Sequence, residues 1–334
     1  MTNLYVGSPM TLIYSFGLNL DEIEKVVFVE VSDYQKATGD RDLKNNIEVC
    51  KNISEALGKK FEFFSFNQAK DFISHIDNND LIDFRIYMKY TSEFKKFRIK
   101  PRFLCLAPEI SGIHIPNFHK INYWILKLRL ELLIKIFLKF RIFKFYSIGN
   151  KGRKGVFIKE IPINWDLFFE RLESVHNELT HKEPNYFTEI SKLDPNRNLL
   201  VILPLADHFG GSMNFNKKAF LKIKEDLEND SKCQILVKNH PTDSRNYTEI
   251  ISEIFPEVAY VATKNSTEHN FPIELLIANF KRVSFSGTFS SIMYTFEGKS
   301  LVPANILIPK EKKNWISYTS GSSIKSFKNR VFFI

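Results

Sequence analysis

The chain has 334 residues, 44% hydrophobic and 25% charged, and a formal net charge of +9. That balance excludes a disordered or fibrous chain, and the length suffices for two ordinary domains, each with its own core. Cys50, Cys105 and Cys233 are widely spaced and form no CxxC pair, which argues against a disulfide framework or a zinc site and fits a reducing cytoplasm.

The excess of basic residues points to an anionic partner: nucleic acid, acidic lipid or a phosphorylated substrate. The opening Met1-Thr2-Asn3-Leu4-Tyr5 lacks a basic region followed by an apolar run, so no secretory signal is expected. No stretch approaches the roughly 18 uncharged apolar residues of a membrane-spanning helix.

In chain order, Leu4-Tyr5-Val6 reads as a first strand breaking at Gly7-Ser8-Pro9, with a helix from about Met10. A second buried strand covers residues 25–31, a helical pattern covers 42–57, and strands are expected at 61–64, 83–88 and 102–107. The pattern restarts at Asn198, with an apolar strand to Leu203, a loop containing Gly210-Gly211 and a helix over about 216–229. Strands at 233–237, 258–261 and 282–285 then alternate with helices near 244–254, near 272–279 and from Ser290.

Alternation of this kind implies βαβ units with parallel sheets. The expected class is α/β, with two Rossmann-like domains facing across a cleft. The expected division is an amino-terminal domain over 1–155, a linker over 156–197, a second domain over 198–310 and a tail over 311–334. In such sheets ligands bind beyond the carboxyl ends of the strands.

Residues 121–147 stand apart. On a helix, Lys127, Glu131, Lys135 and Lys139 form an i,i+4 row that leaves a wide Leu/Ile/Phe face. Two readings fit: an interfacial helix on an anionic leaflet, or a core helix with a snorkelling charged edge.

Three polar motifs in the second half carry the chemistry. Lys238-Asn239-His240-Pro241 closes a buried strand. A cation and an imidazole there can neutralise a phosphate, and His240 can give a proton to a leaving phosphate oxygen; taken alone, a histidine at a strand end is more often structural. Pro272-Ile273-Glu274 opens a helix, where an early carboxylate commonly serves the dipole, though it can also accept two ribose hydroxyls. Gly287 precedes Ser290-Ser291, hydroxyls at a helix start that make an ordinary cap or, with free N–H groups, an anion site.

Together and in this order the motifs resemble bacterial sialyltransferases and polysialyltransferases, twin-Rossmann (GT-B) enzymes that use CMP-sialic acid. The resemblance matches His240-Pro241 to their His-Pro motif at the donor phosphate and Lys238 to a lysine of some members. It matches Glu274 to the ribose glutamate and Ser290-Ser291 to a phosphate-binding Ser-Ser pair. The amino terminus, Tyr5-Val6-Gly7-Ser8-Pro9, also looks like the opening strand and turn of that group.

One departure stands out. No Asp-Asp-Gly or Asp-Glu-Gly occurs where these families carry their catalytic base, and the nearest candidate is Glu109 in Pro108-Glu109-Ile110-Ser111-Gly112.

The resemblance implies an inverting transferase of a CMP-activated nonulosonic acid, sialic acid first. It would work without cofactor or metal, with Lys238, Pro241, Glu274, Gly287, Ser290, Ser291 and Gly210 around the donor. The acceptor would be a lipid-linked surface glycan, lipooligosaccharide or capsule precursor, met at the inner leaflet by a cytoplasmic peripheral enzyme. CMP-Kdo or CMP-pseudaminic or legionaminic acid donors, a UDP-sugar, and a nucleic-acid-binding protein with no catalysis are the alternatives.

Overall fold

The computed structural model describes residues 2–31, 43–65, 68–90, 93–94, 102–105, 145–147, 160–182, 186–206, 211–227, 233–240, 243, 245–255, 258–261, 267–287, 305–309 and 331–333. The chain divides into two compact units, Met1–Leu179 and Thr180–Ile334.

The first unit is built on a seven-stranded sheet of order β3-β2-β1-β4-β5-β6-β7. Its strands are β1 (Thr2–Val6), β2 (Ile23–Val29), β3 (Lys60–Phe64), β4 (Leu81–Asp83), β5 (Arg102–Cys105), β6 (Phe145–Ser147) and β7 (Glu160–Pro162). Every neighbouring pair is parallel. Strands covered on both faces need near-continuous apolar sequence, and Leu4, Tyr5 and Val6 in β1 and Val26 to Val29 in β2 are buried.

The helices are α1 (Pro9–Tyr14), α2 (Leu43–Ala56), α3 (Ala69–Ser74), α4 (Phe84–Lys89) and α5 (Trp165–Lys182). One core joins Tyr5, Val27 and Ile82 of the sheet to Phe72, Ile86 and Tyr90, with Phe72 edge-on to Tyr90 at 5.4 Å between ring centres. At the sheet's outer edge, β3 is laced to β2 by Lys25–Glu62 and Lys60–Glu24 ion pairs.

The second unit carries a six-stranded sheet of order β10-β9-β8-β11-β12-β13. It comprises β8 (Leu199–Leu203), β9 (Gln234–Lys238), β10 (Ala259–Val261), β11 (Val283–Gly287), β12 (Asn305–Ile308) and β13 (Val331–Phe333), again all parallel. The helices α6 (Met213–Leu227), α7 (Thr248–Ile254) and the single turn α8 (Ile273–Leu276) connect them. Phe215, Phe220 and Ile223 of α6 pack with Ile202, Val237 and Ile251 into the core. The strand order is that of a dinucleotide-type fold, with its switch point between β8 and β11.

Three sequence expectations change, and a fourth falls mostly outside the described residues. Residues 83–88 are not a strand: β4 stops at Asp83 and α4 begins at Phe84. The Asp83 side chain caps that helix by accepting the Arg85 N–H at 2.9 Å, and helical spacing buries Ile86 and Tyr90 together. The expected linker over 156–197 contains β7 and α5, and the expected tail over 311–334 ends in β13. The basic segment over 121–147 lies outside the described residues except for Phe145–Ser147, which form β6 rather than helix. Among the described residues no helix is long and apolar enough to cross a membrane.

Candidate functional site

At the carboxyl edge of the second sheet, β8 lies between β9 and β11. Ile202 of β8 is in register with Val237 on one side and Ser286 on the other, and Leu203 is in register with Gly287. Lys238, one residue beyond Val237, and Gly287 therefore flank the end of β8 from opposite sides. Two interstrand spacings separate them, roughly 10 Å, about the length of a nucleoside monophosphate.

Gly287 has φ of 117°. A Cβ there would lie 2.3 Å from the Leu203 carbonyl oxygen and 2.9 Å from its nitrogen. Only glycine lets β11 leave the sheet this close to β8. Ser290 and Ser291, which follow it in sequence, lie outside the described residues, as do Gly210, Pro241 and Glu109.

His240 follows β9 and is half-buried. Its carbonyl accepts the Asp243 N–H at 2.9 Å, which closes the turn after the strand. Glu274, in the first turn of α8, is 1% exposed. The residue at the helix start, Pro272, has no N–H, so Glu274 cannot form the reciprocal bond of a capping box.

Lys238 departs from its expected role. Instead of reaching out beside His240, it is 4% exposed, and its Nζ donates to the His269 carbonyl at 3.1 Å and to the Asn239 carbonyl at 3.4 Å. Burial lowers its pKa from 10.5 to about 8 against the opposing pull of Glu274 and Glu268. Lys238 is thus a buried cation within electrostatic reach of two buried carboxylates, Glu268 and Glu274.

Two features went unread in the sequence. Glu268 is fully buried; its Oε1 accepts the N–H groups of Glu189 at 2.7 Å and Ile190 at 2.9 Å, and its Oε2 has no hydrogen-bond partner. Burial raises its pKa, and the two backbone bonds only partly offset that. The second feature is a clasp on the loop after β8. Arg245 grips Asp243 through Nε and Nη2, both at 2.7 Å, and donates to the carbonyls of Leu205 and Gly211 at 2.7 Å each.

Asn216 holds the Leu205 N–H and carbonyl at 2.9 and 3.0 Å and donates to the Tyr247 hydroxyl, which donates to Asp243. The Gly211 N–H returns to the Ala206 carbonyl at 3.0 Å. A Cβ at 211 would sit 1.9 Å from the Leu205 oxygen. Both ends of the loop beside the switch point are therefore fixed.

The first unit repeats the device: Arg85 pairs with buried Asp83 at 2.7 Å and donates to Ser8 Oγ at 2.8 Å and Thr11 Oγ1 at 2.6 Å. Asp83 also accepts the Gly7 N–H at 3.2 Å. Burial pushes the Asp83 carboxyl up, but Arg85 and the hydroxyl and amide donors outweigh it and hold the pKa below the usual range. Such a carboxylate is a poor proton acceptor, so Asp83 does not replace Glu109 as a candidate base. In the same unit Asp80 is buried and accepts the Asn3 and Asp77 N–H groups at 2.6 and 2.8 Å, while Asp77, Asn78 and Asn79 are exposed.

No family model matches the chain, and no curated protein matches it by sequence. Solved structures do. The α/β-galactoside α-2,3-sialyltransferase of Photobacterium phosphoreum superposes with a TM-score of 0.57 at 12% identity, covering 99% of this chain and 98% of that one. The GT-B domain of a Photobacterium damselae sialyltransferase gives 0.51 at 11% identity, covering 100% of both chains. A Photobacterium sp. 2,6-sialyltransferase solved with CMP and lactose gives 0.53 at 10% identity, covering 99% of this chain and 78% of that one. At these identities the likeness is one of fold: the chain carries the two Rossmann-like units of a GT-B protein.

Proposed function

We propose that this chain is an inverting glycosyltransferase that transfers a nonulosonic acid, sialic acid first, from its CMP-activated donor to a hydroxyl of a surface glycan. The observation that carries the reading is the switch point itself, where β9, which leads to His240, and β11, which ends in Gly287, flank β8. The fold likeness to sialyltransferases, one of them solved with CMP, supports it.

In the step proposed, the acceptor oxygen bonds to the anomeric carbon as the bond from that carbon to the CMP phosphate oxygen breaks. His240 protonates the departing phosphate, and the helix start at Ser290-Ser291 takes up its charge. Glu274 accepts the ribose hydroxyls. A carboxylate, for which Glu109 is the sequence candidate, removes the acceptor proton. The reading assigns no metal to the step. A lipid-linked acceptor, lipooligosaccharide or capsule precursor, fits the net charge of +9, with the enzyme peripheral on the cytoplasmic side of the inner membrane.

CMP should raise the melting temperature and UDP should not. His240→Ala should retain CMP binding while CMP release from CMP-sialic acid falls by about 10²- to 10⁴-fold. Stabilisation by UDP instead of CMP would move the assignment to a UDP-sugar transferase. CMP binding with release only from CMP-Kdo or CMP-pseudaminic acid would change the sugar and keep the site.

A further inference from the structure

A proton donor serves only where its ring meets the leaving oxygen, and a misplacement of about 1 Å can cost about 100-fold in rate. His240 lies two residues beyond the end of β9, outside the ladder that fixes the strand. Its backbone is held from both sides instead. On one side Asn239, 1% exposed, donates its amide to the Arg245 carbonyl at 3.0 Å and to the Tyr260 hydroxyl at 3.2 Å. On the other, the Asp243 N–H donates to the His240 carbonyl at 2.9 Å.

Both tethers run to Arg245. Its guanidinium grips the Asp243 carboxylate through Nε and Nη2 at 2.7 Å each, and its backbone N–H adds a bond at 3.1 Å. The same guanidinium donates to the Leu205 and Gly211 carbonyls at 2.7 Å each, and it lies 5.5 Å from the centre of the Tyr247 ring. One side chain thus joins the turn that carries His240 to both ends of the loop that leaves β8 at the switch point.

We infer that Arg245 is a positioning residue for His240, holding the histidine's turn at a fixed distance from the end of β8 so that the imidazole meets the departing phosphate. The inference rests on the reading of His240 as the proton donor to CMP, and it gives Arg245 no contact with the donor.

Charge alone does not meet that task. A planar fork of five N–H groups serves two carbonyls and a carboxylate at once, whereas a lysine offers a point charge with three. Arg245→Lys therefore keeps a cation beside buried Asp243 and gives up the geometry. A purely structural Arg245 would matter equally whatever stands at position 240. One that places the histidine matters only while the histidine is there.

The test is a double-mutant cycle read as CMP release from CMP-sialic acid, followed with radiolabelled donor at a temperature where circular dichroism shows each protein folded. Arg245→Lys should slow release by about 10- to 100-fold when His240 is present. In a His240→Ala background the same change should alter the rate by less than about 2-fold. Asp243→Asn, which parts the same pair from the other side, should repeat the pattern. Ile223→Val, a change in the core under α6 that lowers stability alone, should slow neither background.

If Arg245→Lys slows both backgrounds by the same factor, or slows neither, this inference alone is overturned. Failure of both Arg245→Lys and Asp243→Asn to fold would make the network a support of the whole unit and overturn it as well. If wild type releases no CMP, the transferase reading fails and takes the inference with it. If His240→Ala releases CMP as fast as wild type, the role of His240 is overturned, and so is the inference.

Discussion

At the scale of single residues, position 287 leaves the least freedom. Its φ of 117° and the 2.3 Å approach to the Leu203 oxygen make any side chain both strained and obstructed. Gly287→Ala should therefore cost about 3 kcal/mol or more in urea denaturation, and any variant that still folds should lose CMP stabilisation because the end of β11 is displaced. A Gly287→Ala protein of wild-type stability would contradict the crowding. His240, Glu274 and Gly287 were legible in the sequence because each sits at a strand end or helix start that local pattern reveals. The inward turn of Lys238 was not, since strand alternation fixes a face and not whether a long side chain folds back onto a carbonyl 31 residues away. Glu268 left no signal either, as its partners at 189 and 190 are distant in sequence.

At the scale of elements, each unit fastens the first loop of its sheet with an aspartate and an arginine two residues apart, Asp83/Arg85 and Asp243/Arg245. Asp83→Ala leaves Arg85, the Thr11 hydroxyl and the Gly7 N–H without their shared acceptor. It should destabilise the protein by about 3–5 kcal/mol, as breaking a buried ion pair does, measurable as a lowered denaturation midpoint. Because the folded pKa of Asp83 is depressed, its stabilisation is present at neutral pH and disappears in acid as the folded carboxyl is protonated; the alanine variant should lack that part of the acid dependence. The same aspartate explains the misread strand at 83–88. Ile86, Tyr87 and Met88 have apolar character that suits either element, and the cap at Asp83 decided between them. The Asp-x-Arg repetition after a strand in both halves was visible in the sequence, but its meaning lies in loops brought together only by the sheets.

At the scale of the whole molecule, alternation of strands and helices was enough to read two Rossmann-like units. The strands that escaped notice, β6, β7, β12 and β13, have three or four residues each, too few for periodicity to register. The charge of +9 bears on where the protein works. If residues 121–147 draw it to an anionic leaflet, the protein should float with vesicles containing phosphatidylglycerol at 0.1 M salt and sediment free at 1 M, where screening shortens to about 3 Å. The double variant Lys135→Glu/Lys139→Glu should bind several-fold less, and unchanged flotation would remove the membrane from the account.

The ion pairs along β3 have a consequence beyond the stability of one sheet edge. Lys60-Phe61-Glu62-Phe63-Phe64 is an aromatic strand at the end of the sheet, with no strand paired to its outer side among the described residues. Two copies approaching in antiparallel fashion about their midpoints would set Glu62 against Glu62, a like-charge juxtaposition that opposes the match. The charge that laces β3 to its neighbour thus also acts as a gatekeeper against polymerisation.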